Sequence, residues 1–120
     1  MPDVRILVVD DEPGIRATVS AMLEIEGYDV TEASNGADAL HAVEVTPPDV
    51  ILLDMRMPIL DGWGFAAEMH GRGHRIPIVV MTAARDAARW ANEIAATAFV
   101  SKPFGYDDLI RAVQRAIPPS

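Results

Sequence analysis

Runs of consecutive apolar residues recur along the chain, and each run stops at a polar or charged residue. The clearest is Val50-Ile51-Leu52-Leu53, which ends at Asp54 and is followed by a loop that Pro58 and Gly62 bracket. Unbroken apolar character, without alternation, is typical of a strand buried on both faces of a parallel sheet. Together with one shorter segment, these runs predict five strands, at residues 4–9, 29–33, 50–53, 77–82 and 98–101.

The segments between these strands carry apolar residues at helical spacing. Pro13 suits the first turn of a helix, and Gly27 suits its C-terminal cap. Further helices are predicted after the turn Asn35-Gly36, over 62–69, over 85–95, and from a cap at Asp107 or Asp108 to Ile117. Five strands that alternate with five helices require parallel strands joined by right-handed crossovers, which is an α/β fold.

Length and composition limit the classes of protein. The 120 residues are enough for one domain with a real core, and half of them are apolar. The net charge of −8 argues against direct binding to nucleic acid, whose phosphates attract cationic proteins. The chain has no cysteine, no apolar run of membrane length and no visible secretory signal, so we expect a soluble cytoplasmic protein.

Polar side chains capable of chemistry stand where the predicted strands end. They are Asp10 and Asp11, Asp54, Thr82 and Lys102. The carboxyl ends of parallel strands meet at one edge of a sheet, which is where ligands bind in open α/β folds. Three carboxylates held together repel one another unless a cation joins them, and an oxygen-only set favours Mg²⁺ or Mn²⁺.

The remaining two side chains suit a phosphoryl group opposite that ion. Lys102 offers a positive charge and Thr82 offers a hydroxyl donor. Asp54 is single and central, which makes it the candidate nucleophile toward phosphorus, whereas the pair Asp10 and Asp11 is better placed to hold the ion.

Four short motifs resemble the receiver domain of two-component response regulators. They are Asp10-Asp11-Glu12, Asp54-x-x-Met57-Pro58 followed by Asp61-Gly62, Thr82-Ala83, and Lys102-Pro103-Phe104. The resemblance covers roughly residues 3–117 of a single receiver domain, and leaves 118–120 as a tail or the start of a linker. It implies a flavodoxin-like fold, a three-layer (βα)5 sandwich with a parallel five-stranded sheet in the order 2-1-3-4-5.

The resemblance also implies roles for individual residues. Asp54 would accept a phosphoryl group from the phosphohistidine of a sensor histidine kinase or phosphotransfer protein. Asp11, Asp54 and the backbone carbonyl of Arg56 would coordinate Mg²⁺ directly, and Asp10 would do so through water. Lys102 would contact a phosphoryl oxygen. Such a domain catalyses only its own phosphorylation and dephosphorylation and is not otherwise an enzyme.

A conformational switch is the further implication. Thr82 would move toward the phosphoryl group while Phe99 turns inward, which would remodel the surface of the fourth helix, fifth strand and fifth helix for a downstream output protein or domain. The same resemblance suggests a cis peptide bond at Lys102-Pro103. No contact with membrane or nucleic acid is expected of this domain.

The sequence departs from that family in one region. The segment between Thr82 and Lys102 is shorter than usual, and Ala95-Ala96 replaces the usual Gly-Ala. Without glycine, a left-handed helix cap costs on the order of 1–2 kcal/mol. We therefore expect the fourth helix to be short, frayed or displaced. Trp90 is expected to pack against the sheet, and Trp63 to cover the loop edge.

Three alternative functions stay open at this point. A Mg²⁺-dependent phosphohydrolase with an aspartyl-phosphate intermediate usually has a D-x-D motif after its first strand, and Asp10-Asp11-Glu12 lacks that spacing. A flavodoxin-type flavin carrier needs a phosphate loop at the same place, where these carboxylates would repel the phosphate. A phosphorylation-independent adaptor would not need the acidic set or Lys102.

Overall fold

A five-stranded parallel sheet forms the centre of the protein, with the strands in the order β2-β1-β3-β4-β5. The structure is a computed structural model that describes residues 3–83 and 85–118. The strands are β1 (Arg5–Val9), β2 (Asp29–Ala33), β3 (Val50–Asp54), β4 (Ile78–Thr82) and β5 (Ala98–Ser101). The predicted fold class and strand order are therefore confirmed, and the predicted strands are placed to within one residue at each end.

Helices cover both faces of the sheet and produce the predicted three layers. They are α1 (Pro13–Ile25), α2 (Gly36–Val45), α3 (Gly62–Gly71), α4 (Ala87–Glu93) and α5 (Tyr106–Ala116). Because successive strand residues point to opposite faces, Leu7 and Val9 pack under α2, α3 and α4, whereas Ile6 and Val8 pack under α1 and α5. Two separate apolar clusters result, one on each face.

The central position of β3 in the sheet explains why its sequence is apolar without alternation. All five of its residues are buried, since β1 and β4 pair with it on either side and helices cover both of its faces. Its last residue, Asp54, is thereby carried into the centre of the sheet edge.

Gly62, where α3 begins after the loop from β3, cannot be replaced by a larger residue unless neighbouring atoms move. A Cβ atom at Gly62 would lie 2.6 Å from Sδ of Met55 and 2.8 Å from its Cα. Asp61 caps α3 by accepting a 2.8 Å hydrogen bond from the Gly64 N–H. The Asp61-Gly62 pair therefore has a structural role in placing this loop.

Several predicted details are wrong at the helix ends. Helix α4 has seven residues, Ala87–Glu93, rather than the predicted 85–95, which agrees with the expectation that it is short. Gly105, not Asp107 or Asp108, precedes α5, and the Asp108 carboxylate accepts a 3.1 Å hydrogen bond from the Gly105 N–H. These ends depend on backbone turns that hydrophobic periodicity does not detect.

Ala95 follows α4 with φ of 55°, the left-handed conformation that was expected to be costly here. No helix within residues 3–83 and 85–118 is long and apolar enough to cross a membrane. Of the predicted tail at 118–120, Pro119 and Ser120 lie outside the described residues.

Candidate functional site

The carboxyl ends of four strands surround one cleft of about 430 Å³. Asp10 follows β1, Asp54 and Thr82 end β3 and β4, and Lys102 follows β5. The cleft is lined by Asp11, Glu12, Asp54, Arg56, Thr82, Ala83 and Lys102. The predicted residues from separate strands are thus brought together at one edge of the sheet.

Three carboxylates form the acidic part of this site. Asp10, Asp11 and Asp54 each offer one oxygen atom, and these oxygens lie within 4.8 Å of one another. Asp10 and Asp54 are buried, whereas Asp11 is exposed to solvent. Because all of the donors are carboxylate oxygens, the chemistry of the set fits a hard divalent cation such as Mg²⁺.

Lys102 supplies the positive charge at this cluster. Its Nζ donates a 2.8 Å hydrogen bond to Oδ2 of Asp10 and lies 3.7 Å from Oδ1 of Asp54. The Lys102 backbone N–H donates to the carbonyl of Thr82 at 2.8 Å, which ties the end of β5 to the end of β4. The Lys102-Pro103 peptide bond is cis, as the sequence suggested.

Asp54 has an unusual environment for a carboxylate. Burial raises its pKa from 3.8 to about 6, and the charges of Asp10 and Asp11 act in the same direction. The Lys102 ammonium and a hydrogen bond from the Arg56 backbone N–H act against this rise. Without a bound cation, Asp54 therefore holds its proton to a higher pH than an exposed aspartate does.

Asp10 is held in place by contacts that sequence reasoning missed. Its Oδ1 accepts a 2.9 Å hydrogen bond from the Glu12 N–H, and its backbone carbonyl accepts a 2.7 Å bond from Arg16. Arg16 also donates to Glu32 at 3.1 Å, which connects α1 to the end of β2. The sequence offers one signal for this role of Arg16. It is a basic residue in the first turns of the helix that follows the acidic loop Asp10-Asp11-Glu12.

The two proposed switch residues lie on the same face of the neighbouring strands β4 and β5, two register positions apart. Thr82 is buried at the cleft. Phe99 pairs with Val80, two residues before Thr82, so its ring lies on the α4 face of β5 but outside the cleft. Phe99 remains 45% exposed.

Arg56 and both tryptophans form a cluster beside the cleft that the sequence did not predict. Cζ of Arg56 lies 5.0 Å from the centroid of the Trp90 ring, and the Trp63 ring meets Trp90 edge to face at 4.9 Å between centroids. Trp90 belongs to α4 and is buried against the sheet, as expected, and Trp63 of α3 is half-buried. Trp90 thus joins α4 to Arg56 in the loop after β3 and to Trp63 in α3.

An apolar groove of about 680 Å³ adjoins the cleft. Ile15, Val19 and Met22 of α1 form one wall, and Pro103 and Phe104 after β5 form another. The groove shares Lys102, Glu12 and Ala83 with the acidic cleft, so the two openings are continuous at Lys102.

The chain is similar to known proteins over nearly its whole length. The family model described as "Response regulator receiver domain" matches residues 6–114. Regulatory protein AtoC of Escherichia coli (strain K12) is 39% identical over 115 residues, which are 94% of this chain but 25% of AtoC. Sporulation initiation phosphotransferase F of Bacillus subtilis (strain 168) is 35% identical over 120 residues, which are 98% of this chain and 97% of that protein.

Solved structures are similar as well. The crystal structure of the receiver domain of NtrX from Brucella abortus matches with a TM-score of 0.88 at 32% identity, covering 96% of this chain and 99% of that one. The matched range 6–114 includes every strand end that contributes to the cleft.

Proposed function

We propose, since the chain belongs to the response regulator receiver domain family, that it is a phosphorylation-activated switch of a two-component phosphorelay. In this proposal Asp54 accepts a phosphoryl group from a histidine kinase or phosphotransfer protein. The resulting change alters the surface of α4, β5 and α5, which an output protein or domain then recognises.

The placement of Asp54 between Lys102 and two further carboxylates is the observation that carries the proposal. A buried, central carboxylate with a cation 3.7 Å away is suited to accept phosphorus. In the transfer, an Asp54 oxygen attacks the phosphorus of the phosphohistidine, and a P–O bond forms as the P–N bond breaks. The electron pair of the P–N bond stays on the imidazole nitrogen, which takes up a proton.

The oxygen-only donor set fits Mg²⁺, or Mn²⁺ in its place. Asp10, Asp11 and Asp54 would hold the ion, together with the backbone carbonyl of Arg56, which lines the same cleft. A bound divalent ion would neutralise the carboxylates and the phosphoryl oxygens, which is its usual contribution to phosphoryl transfer. The protein's own contribution is to hold these oxygens in one place, chiefly through the hydrogen bonds to Asp10.

Lys102 and Thr82 complete the site in this proposal. Lys102 provides a positive charge for a phosphoryl oxygen, and the Thr82 hydroxyl at the end of β4 provides a donor. Phosphorylation adds about 1.5 to 2 negative charges, which favours a state in which both side chains close on the new group.

We propose that Phe99 carries the effect of this closure to the protein surface. Its ring is 45% exposed on the α4 face of β5. Movement of Thr82 toward the cleft would leave space on that face for Phe99 to turn inward. The exposed apolar area of this surface would then change with the phosphorylation state.

The phosphodonor partner is proposed to bind at the apolar groove between α1 and the segment after β5. A partner's phosphohistidine must reach Asp54, and this groove shares Lys102 with the cleft. The ATP from which such a kinase draws its phosphoryl group is in the cytoplasm, so we propose that location for this domain too. We propose that the domain catalyses only its own phosphorylation and dephosphorylation, and that it turns over no other substrate.

A direct test is intact-mass measurement after incubation with Mg²⁺ and acetyl phosphate. We expect a gain of one phosphoryl group, which is absent in Asp54→Asn and absent when EDTA replaces Mg²⁺. Asp107→Asn, which removes an exposed carboxylate in the first turn of α5, is the matched control and should gain the group normally. Gain of the group by Asp54→Asn, or steady hydrolysis of many phosphate esters, would contradict the proposal and favour a phosphohydrolase.

A further inference from the structure

Arg56 touches the proposed phosphorylation site and a helix of the output surface at the same time. Its backbone N–H donates a hydrogen bond to the Asp54 carboxylate. Its guanidinium carbon lies 5.0 Å from the centre of the Trp90 ring, within the range of a cation–π contact. Trp90 belongs to α4 and is 5% exposed, so this single residue bridges Asp54 and α4.

Trp90 is in turn tied to α3 through Trp63. The two rings meet edge to face at an interplanar angle of 69°, and Nε1 of Trp63 donates a 3.0 Å hydrogen bond to Glu93, the last residue of α4. Helix α4 has seven residues and no side-chain cap at its N-terminus. A helix of that length is not stable by itself, so its position depends on such tertiary contacts.

The charges around the cleft make the Arg56 contact sensitive to the state of Asp54. Among the residues that line the cleft, Lys102 and Arg56 are basic, and Lys102 already donates to Asp10. A guanidinium forms paired, charge-assisted hydrogen bonds with a phosphoryl group, and these are stronger than a partly exposed cation–π contact. Charge gained at Asp54 therefore competes with Trp90 for Arg56.

We infer that Arg56 and Trp90 form a charge-sensitive latch on α4, an inference that rests on the proposed function. While Asp54 is unmodified, the guanidinium lies over Trp90 and restrains α4. When Asp54 carries a phosphoryl group, the guanidinium moves toward that group and leaves Trp90 and α4 less restrained. This route from the cleft to α4 uses neither Thr82 nor Phe99.

Fluorescence of Trp90 in the 120-residue chain tests the latch directly. In a Trp63→Phe background, Trp90 is the one remaining tryptophan, because the chain has two. Acetyl phosphate with Mg²⁺ should change its fluorescence emission in step with the mass gain. Arg56→Met in that background should remove most of this change, and should move the emission of the unmodified protein toward that of the phosphorylated one.

Amide hydrogen exchange of α4 provides the second readout, in protein that keeps Trp63. Exchange in α4 should become about 2- to 5-fold faster on phosphorylation, the factor that a contact of this strength sets. Arg56→Met should show the faster exchange before phosphorylation. The matched control is Arg89→Met, which removes an arginine of α4 that is paired with Asp86 and 63% exposed, and it should leave the phosphorylation-dependent changes intact.

The outcomes separate the two proposals. If the protein gains the phosphoryl group but Trp90 emission and α4 exchange stay constant, the latch is overturned and the proposed function stands. The same conclusion follows if Arg89→Met abolishes the changes as fully as Arg56→Met. If no phosphoryl group is gained, the proposed function is overturned, and the latch with it because no added charge arises.

Discussion

Nζ of Lys102 donates a 2.8 Å hydrogen bond to Oδ2 of Asp10, a side chain with no exposed surface. The Lys102 side chain is itself only 13% exposed, and Oδ1 of Asp54 lies 3.7 Å from its Nζ. In the absence of metal, one lysine thus compensates for much of the charge of two buried carboxylates. Removing one partner of such a group leaves the other charges buried and unpaired, which is costly.

We therefore expect Lys102→Met to lower the free energy of unfolding by about 2–3 kcal/mol at pH 7.5, measured by urea denaturation in EDTA. Arg89→Met, which breaks an exposed ion pair of α4, is the control and should change stability by less than about 0.5 kcal/mol. Equal stability of Lys102→Met and the unchanged protein would mean that the lysine does not compensate for the buried carboxylates.

The raised pKa of Asp54 predicts a pH dependence with a definite sign. The pKa of Asp54 is about 6 in the folded state, whereas its ordinary value, which applies to the unfolded chain, is 3.8. Between these values the folded state holds more protons, so the contribution of Asp54 makes stability fall as pH rises from 4 to 7. The ionised carboxylate therefore destabilises the metal-free protein at neutral pH.

Asp54→Asn removes that charge and should be more stable than the unchanged protein at pH 7.5 by about 1–3 kcal/mol, a range set by the pKa difference. The advantage should shrink at pH 4.5. Urea denaturation of both proteins in EDTA at the two pH values measures it. Asp107→Asn serves as the control, and a constant difference between the Asp54 variant and the unchanged protein at both pH values would argue against a raised pKa.

Ala95 adopts a left-handed conformation after α4, with φ of 55°. Glycine adopts this conformation without a Cβ penalty, so Ala95→Gly should raise the free energy of unfolding by about 1 kcal/mol. Its neighbour Ala96 is not among the residues described with positive φ. Ala96→Gly should therefore destabilise the protein slightly, and chemical denaturation of both variants gives the comparison. A loss of stability in Ala95→Gly would contradict the assignment of strain to this position.

The fold and the main site residues could be predicted because they follow from local patterns. The apolar run that ends at Asp54 identifies a strand buried on both faces, and parallel topology brings the ends of such strands to one edge. The acidic turn at Asp10 and Asp11 and the basic residue Lys102 therefore had to meet near Asp54, whatever the details of packing. The resemblance of the motifs pointed to the same residues.

Helix ends and long side-chain contacts were less predictable. The sequence pattern extended α4 over 85–95, but the helix covers Ala87–Glu93, because backbone turns at its ends decide where it stops. Ile25 is apolar and ends α1 but is 75% exposed, because it lies two residues, about 200° around the helix, from the fully buried Leu23. The apolar character of a helical residue therefore does not by itself show that the residue faces the sheet.

By itself, the sequence determined the alternation of strands and helices, the burial of β3 and the set of charged residues at the strand ends. Those features depend on residue type and on spacing of a few positions. Only the tertiary structure decided that Arg16 holds Asp10, that Arg56 lies over Trp90 and that burial raises the pKa of Asp54. These depend on where long side chains from distant segments come to rest and on how much water is excluded around them, which no local pattern encodes.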